Sequence, residues 1–167
     1  SKCSWIQLHT RSGIAGIEPL FFLVEPNLEV KERKGAVVVR NTDFNHIAEF
    51  YVTQKAFEPI LKVSTQTMHF PYEGETKEVL VTTNIDYDVV TNVDWLTVTK
   101  TSSGITVVAK AQYTTKERSA EITLSNNKYE LTKTIEVVQA AMSNNESNCI
   151  IYYTTYDGKV VSPKTGA

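Results

Sequence analysis

Arg118-Ser119-Ala120-Glu121-Ile122-Thr123-Leu124-Ser125-Asn126-Asn127-Lys128-Tyr129-Glu130-Leu131-Thr132-Lys133-Thr134-Ile135-Glu136-Val137-Val138-Gln139 is the stretch whose reading decides the fold. Ala120, Ile122 and Leu124 alternate with polar residues, which in an extended chain puts all three on one face. Tyr129, Leu131, Ile135 and Val137 line a second inward row. Between the rows lies Ser125-Asn126-Asn127-Lys128, whose two Asn residues tolerate the positive φ of a tight hairpin. The period is two throughout, so the stretch predicts paired strands and not a helix.

The same reading extends upstream. Residues 65–70 end with Met68 and Phe70 on one face, residues 77–83 alternate around Val79 and Val81, and residues 105–109 alternate around Val107. Pro71 with Gly74, and Ser102-Ser103-Gly104, supply the turns between them. A strand about every ten residues favours an antiparallel sandwich, with a short barrel as the alternative. The predicted interior is Met68, Phe70, Val79, Val81, Leu96, Val107, Ile122, Leu131, Ile135 and Val137.

The chain also repeats itself. Lys31-Glu32-Arg33 is followed after 21 residues by Gln54, and Lys116-Glu117-Arg118 is followed after the same 21 by Gln139. Upstream stand Trp5-Ile6 and Trp95-Leu96, and the offset between the two Arg residues is 85. Similarity at a domain-sized period implies tandem modules. Trp5 and Trp95 are expected as packing residues at strand starts. Arg33 and Arg118 are expected to bond loop carbonyls at the head of a strand, and Gln54 and Gln139 to close the last strand or contact the next module. The excess of five residues between Trp5 and Arg33 predicts a longer loop in the first copy.

Composition narrows the function classes. The 167 residues are 41% hydrophobic and 22% charged, as in an ordinary globular chain. Lys+Arg 17 against Asp+Glu 19 gives a net charge of -2, which supplies no basic field for nucleic acid or for an anionic membrane surface. No apolar run approaches the roughly 20 residues needed to span a bilayer. No signal-peptide pattern is present, so for an exported protein that signal would lie outside this chain.

Little here suggests catalysis, and no cofactor is expected. His9, His46 and His69 are far apart in sequence and belong to no recognisable triad or metal motif. Cys3 and Cys149 have no CxxC spacing, which argues against zinc. They are either two thiols or a bridge, the latter needing Cα atoms within about 7 Å. Asn84-Ile85-Asp86-Tyr87-Asp88 places oxygen side chains at alternate positions, as calcium loops do. Val89 stands where such a loop needs Gly, however, and Trp95 where it needs a bidentate Glu, so a solvated loop is expected. Aromatic faces stack on sugar rings, so Trp95, Tyr87, Tyr113 and Tyr129 are candidates for that role. The tryptophans fit a core better. Tyr87, Tyr113 and Asn126 lie in predicted turns, where binding residues concentrate, and are the candidate glycan-binding residues.

The run Trp95-Leu96-x-Val98, Val107-x-Ala109-x-x-Gln112, Arg118-Ser119-Ala120-x-Ile122 and Ile135-x-Val137-x-Gln139-Ala140 resembles the BACON modules of exported proteins from gut Bacteroidetes. The resemblance covers roughly residues 58–141. Trp5-Ile6, Phe22-x-Val24-x-x-Asn27, Arg33-x-Gly35-x-Val37 and Phe50-x-Val52-x-Gln54 resemble the later part of another such module, with Gly35 in place of Ala120. What this implies is an all-β protein of immunoglobulin-like antiparallel sandwich modules in tandem, non-enzymatic and extracellular or on the cell surface. A partial module would occupy residues 1–56, a complete one 57–141, and a linker with a hairpin 142–167. The partner implied is carbohydrate or a host glycoprotein such as mucin. The rival role is a spacer that holds a leucine-rich array away from the membrane.

Two features stand apart from a regular tandem. Only four residues precede Trp5, against 38 between residues 57 and 94, so about three strands are missing from the first copy. Its apolar face and sheet edges should therefore be open. In the tail, Ile151-x-Tyr153-Thr154-x-x-Asp157-Gly158-Lys159-x-Val161-x-Pro163 resembles the segment that opens the leucine-rich arrays of surface proteins in the same bacteria. Asp157-Gly158 suits a type I′ turn. The tail hairpin would fold back on the first copy, bringing Cys149 towards Cys3, or pair with another chain, or else the first copy is simply a truncated half-domain.

Overall fold

The computed structural model describes residues 3–10, 12–14, 16–41, 43 and 45–143, with two short strand segments at 153–154 and 160–161. Every regular element among them is a β-strand, and the chain divides into two units, Ser1–Ile60 and Leu61–Ala167.

In the first unit, β1 (Ile6–Leu8) pairs with β2 (Phe22–Val24), and β3 (Arg33–Arg40) pairs with β4 (Ile47–Gln54). Residues 9–21 join β1 to β2, a long connection of the kind the extra residues predicted. Ile6 and Val37 are buried, while Ile47, Tyr51 and Val39 are exposed at 57%, 68% and 49%. A two-stranded ladder covers too little apolar surface to bury both of its faces. Gly35 is fitted to this unit. A Cβ there would meet Ile6 Cδ1 at 2.6 Å and Trp5 Cζ2 at 2.8 Å, which explains why glycine stands where the second copy has Ala120.

The second unit is a complete sandwich. Its strands are β5 (Leu61–Val63), β6 (Thr67–Phe70), β7 (Glu75–Thr83), β8 (Asp88–Thr91), β9 (Leu96–Lys100), β10 (Gly104–Ala109), β11 (Arg118–Asn126) and β12 (Leu131–Gln139). One sheet has the order β5-β7-β10-β9 and the other β6-β12-β11-β8. These are two open four-stranded layers, so the barrel alternative falls. All pairings are antiparallel except β6 with β12. That exception has a simple origin. β5 and β6 form one extended run that changes sheets between residues 64 and 66, Ser64 N bonding Leu80 O in one layer and Glu136 N bonding Gln66 O in the other. A strand antiparallel to β7 in the first layer thereby becomes parallel to β12 in the second.

The two inner faces meet in one cluster. Met68, Phe70, Val79, Leu96, Val107, Ile122, Ile135 and Val137 are buried in it, and Val81 and Leu131 pack against it partly buried. Ile105 and Leu124 complete it. Each aliphatic side chain so buried contributes about 1.5–3 kcal/mol, and period-two patterning had placed nearly all of them.

One turn differs from expectation. In the β11–β12 hairpin, Asn126 pairs with Leu131, leaving residues 127–130 as the loop. The positive φ falls on Glu130 at 53°, not on an Asn, and Tyr129 lies in the turn and not on the strand. The inward rows ending at Leu124 and Leu131 set this register. Asn126 is thus held in the ladder, and its Oδ1 accepts from Tyr129 N at 2.9 Å to close the turn. In the tail, β13 (Tyr153–Thr154) pairs with β14 (Val160–Val161), Thr154 opposite Val160, and the expected Asp157-Gly158 turn lies outside the described residues. These strands form a two-stranded sheet of their own, as the hairpin reading has it, and among the described residues no ladder joins them to strands before Phe57. Cys149 lies outside the described residues, and with it the Cys3 to Cys149 pairing.

Candidate functional site

The ends of β11 and β12 bring the repeated residues together. Arg118 and Gln139 are register partners across the ladder, so guanidinium and amide meet at its end. Arg118 Nε donates to Gln139 Oε1 at 2.8 Å and its Nη2 to Lys110 O at 2.8 Å. The guanidinium carbon lies 4.3 Å from the Trp95 ring centroid. Gln139, fully buried, donates from Nε2 to Pro71 O at 2.9 Å and to Lys110 O at 3.0 Å. Gln112 Nε2 in turn donates to Gln139 O and Ala140 O. Charge-assisted bonds of this kind contribute about 1.5–3 kcal/mol each and the cation–π contact about 0.5–2. The group fastens three segments: residues 71–74, residues 110–114 and the end of β12.

The first unit builds the same group 85 residues earlier. Arg33 Nε donates to Gln54 Oε1 at 2.9 Å and its Nη2 to Glu25 O at 2.7 Å, with the guanidinium 4.4 Å from the Trp5 ring. Gln54 Nε2 donates to Glu25 O at 3.0 Å. Asn27 takes the place of Gln112, donating to Lys31 O and Lys55 O. Backbone contacts match as well: Glu25 N bonds Trp5 O as Lys110 N bonds Trp95 O, and Phe57 N bonds Glu29 O as Met142 N bonds Thr114 O. The sequence had shown Asn27 and Gln112 at matching positions without giving them a role. An amide at the same offset in both copies was the available signal.

The three candidate glycan residues do not share a surface. Tyr87 is buried at 9% exposure in the core cluster, its hydroxyl bonding Gly104 O at 3.1 Å, its ring beneath Lys100 Nζ at 4.4 Å. It is therefore not an exposed loop residue, because a carbonyl partner lets the phenol enter the core. Asn126 is half-buried and uses its Nδ2 on Asp86 O at 2.7 Å. Tyr113 is 74% exposed. It precedes Arg118 at one end of β11 whereas Asn126 closes the other, and nine strand residues separate such ends by about 26 Å. Trp95 is 8% exposed, in the core.

Burial raises the Tyr87 phenol pKa above its ordinary value. The neutral form is the one the fold favours, so this contribution to stability is complete below the unfolded value of about 10 and is lost as pH rises from there through the folded value. Tyr87→Phe should lose stability less steeply than the parent above pH ~10, measured by urea unfolding at a series of alkaline pH values. Parallel slopes would show that Tyr87 ionises as freely folded as unfolded.

The Tyr113 end has a second aromatic. Gln112 N donates to Tyr72 O at 2.8 Å, and Gly74 (φ 83°) has no room for a Cβ, which would lie 2.4 Å from Ala109 O. The loops at 71–74 and 109–114 therefore run back to back. Tyr72 is half-buried, and the Glu73 carboxylate beside it raises the phenol pKa. At the position matching Tyr113 the first unit has Leu28, 53% exposed. No group of three or more His, Cys, Asp or Glu side chains that could hold a metal occurs among the described residues, and no helix there is long and apolar enough to cross a membrane.

Comparison with known proteins agrees with the module reading over the second unit. Residues 60–141 match the family model described as the viral BACON domain. No curated protein matches the chain. Among solved structures it is similar to a Bacteroides ovatus GH5 xyloglucanase in complex with a XXXG heptasaccharide, at 17% identity and a TM-score of 0.45. That likeness covers 60% of this chain and 30% of the other, so the chain spans about a third of the enzyme's length.

Proposed function

We propose that this chain, with its BACON-type domain at residues 60–141, is a run of tandem non-catalytic modules of an exported or surface protein, and that the complete copy binds carbohydrate or glycoprotein. The observation that carries the reading is Tyr113, an aromatic side chain 74% exposed on a loop held from beneath by buried amides. Sandwich folds place binding residues on such loops. The tandem arrangement, with a partial module at 1–56 and a complete one at 57–141, is supported by the matched Trp, Arg, Gln and backbone contacts.

A spacer role is the second reading, in which the modules hold a leucine-rich array that follows residues 142–167. It is favoured by what the two copies keep: the fastening residues recur, while Tyr113 is replaced by Leu28. Calorimetry of the whole chain against host and plant glycans separates the readings. A saturable heat with a Kd between about 10 μM and 1 mM supports binding. Silence across the panel leaves the spacer.

A further inference from the structure

The loop end of the second unit combines stacking faces, a hydrogen-bond acceptor and a rigid base. Tyr113 is 74% exposed, and its neighbour Gln112 bonds Tyr72 O at 2.8 Å, so the two tyrosines stand on adjoining loops. Pro71 O is gripped by Gln139 Nε2, and Thr114 Oγ1 bonds Gln112 Oε1 at 2.9 Å and Lys116 O at 3.0 Å. Gly74 packs against Ala109 O with no space to spare. Loops fixed in this way lose little conformational freedom when a ligand docks, which is the condition for useful affinity from a small contact area. The first unit lacks the arrangement, since Leu28 stands at the matching position.

We propose that Tyr72, Glu73 and Tyr113 form a site for neutral glycans, the two phenol rings stacking on the apolar CH faces of pyranose rings and the Glu73 carboxylate accepting a sugar hydroxyl. The inference rests on the carbohydrate reading above and gives it a place and a specificity. A carboxylate beside the stacking faces admits neutral sugars and repels sialylated or uronic ones.

The test uses the full chain, titrated by calorimetry with cellohexaose, with a neutral N-acetyllactosamine oligomer and with sialyllactose. Binding of a neutral probe with sialyllactose excluded is the expected result. Tyr113→Ala and Tyr72→Ala should each weaken that binding by about tenfold or more, while Tyr113→Phe keeps it within about threefold and Glu73→Gln admits the acidic probe. Melting curves should stay unchanged for Tyr113→Ala, whose side chain is largely in solvent, so lost binding cannot be lost folding. No binding by the parent chain overturns the carbohydrate reading and this site with it. Binding that survives both alanine variants overturns the site alone.

Discussion

Replacing Trp95 with alanine should remove about 3–5 kcal/mol of stability from the second unit, a large part of the roughly 5–15 kcal/mol by which a typical domain is stable. Two losses coincide. The indole is 8% exposed in the core cluster, so its removal opens a cavity between the sheets, and its ring is the seat of the Arg118 guanidinium 4.3 Å away. Trp95→Phe should cost less than half as much, since it keeps an aromatic face for the guanidinium. Urea unfolding followed by far-ultraviolet circular dichroism reads both values. A cost under about 1 kcal/mol for Trp95→Ala would mean that the indole packs loosely. Trp5, half-buried in its two-stranded surroundings, should cost less when truncated.

The inner faces of the sandwich were legible because burial acts on every second residue. Ile122, Leu124, Ile135 and Val137 could occupy one layer only if both strands presented the same parity, and the register pairs Ile122 with Ile135 and Ala120 with Val137. Equal spacing from Arg to Gln in two hairpins likewise implied equal pairing, and Arg33 opposes Gln54 as Arg118 opposes Gln139. Pairing between distant segments left no such mark. Nothing local at residues 64–66 says that the chain changes sheets there, or that β6 then runs parallel to β12.

Tyr87 illustrates the same limit for a candidate site. It sits among polar residues that look like a solvated loop, and the carbonyl that admits its hydroxyl to the core belongs to Gly104, 17 positions away. Asn126 departs from the turn reading for a different reason. Its amide suits a turn tip, but the rows on either side hold it in the ladder, where it bonds Asp86 O and Tyr129 N. Tyr113 could be read because nothing apolar surrounds it in sequence. Tyr72 stands between Pro71 and Gly74, which mark a turn by themselves and say nothing of the ring. The rule that drew attention to Tyr87 and Tyr113, an aromatic in a predicted turn, applies to it equally.

Gln139→Ala should cost the second unit about 2–4 kcal/mol, and Gln54→Ala in the first unit about 1 kcal/mol or less, although the two side chains make matching bonds. Burial separates them. Gln139 is fully enclosed, so alanine there removes one donor each from Pro71 O and Lys110 O, which keep only Gly74 N and Arg118 Nη2, and leaves Arg118 Nε without its acceptor, where water cannot easily substitute. Gln54 is half-buried, and water can replace it at Arg33 and Glu25 O. Denaturant unfolding of the two variants gives the comparison, and a double-mutant cycle between Arg118 and Gln139 should return a coupling of about 1–2 kcal/mol. Equal costs at the two positions would show that the bonds, and not their enclosure, set the energy. Glutamate at 139 should be worse than alanine, because a carboxylate oxygen would face the two carbonyls that the amide now satisfies, with Arg118 offsetting only part of that repulsion. Since Gln139 also anchors the loop that carries Tyr72, its loss should loosen the proposed sugar site, and glycan affinity should fall at temperatures where the variant is still folded.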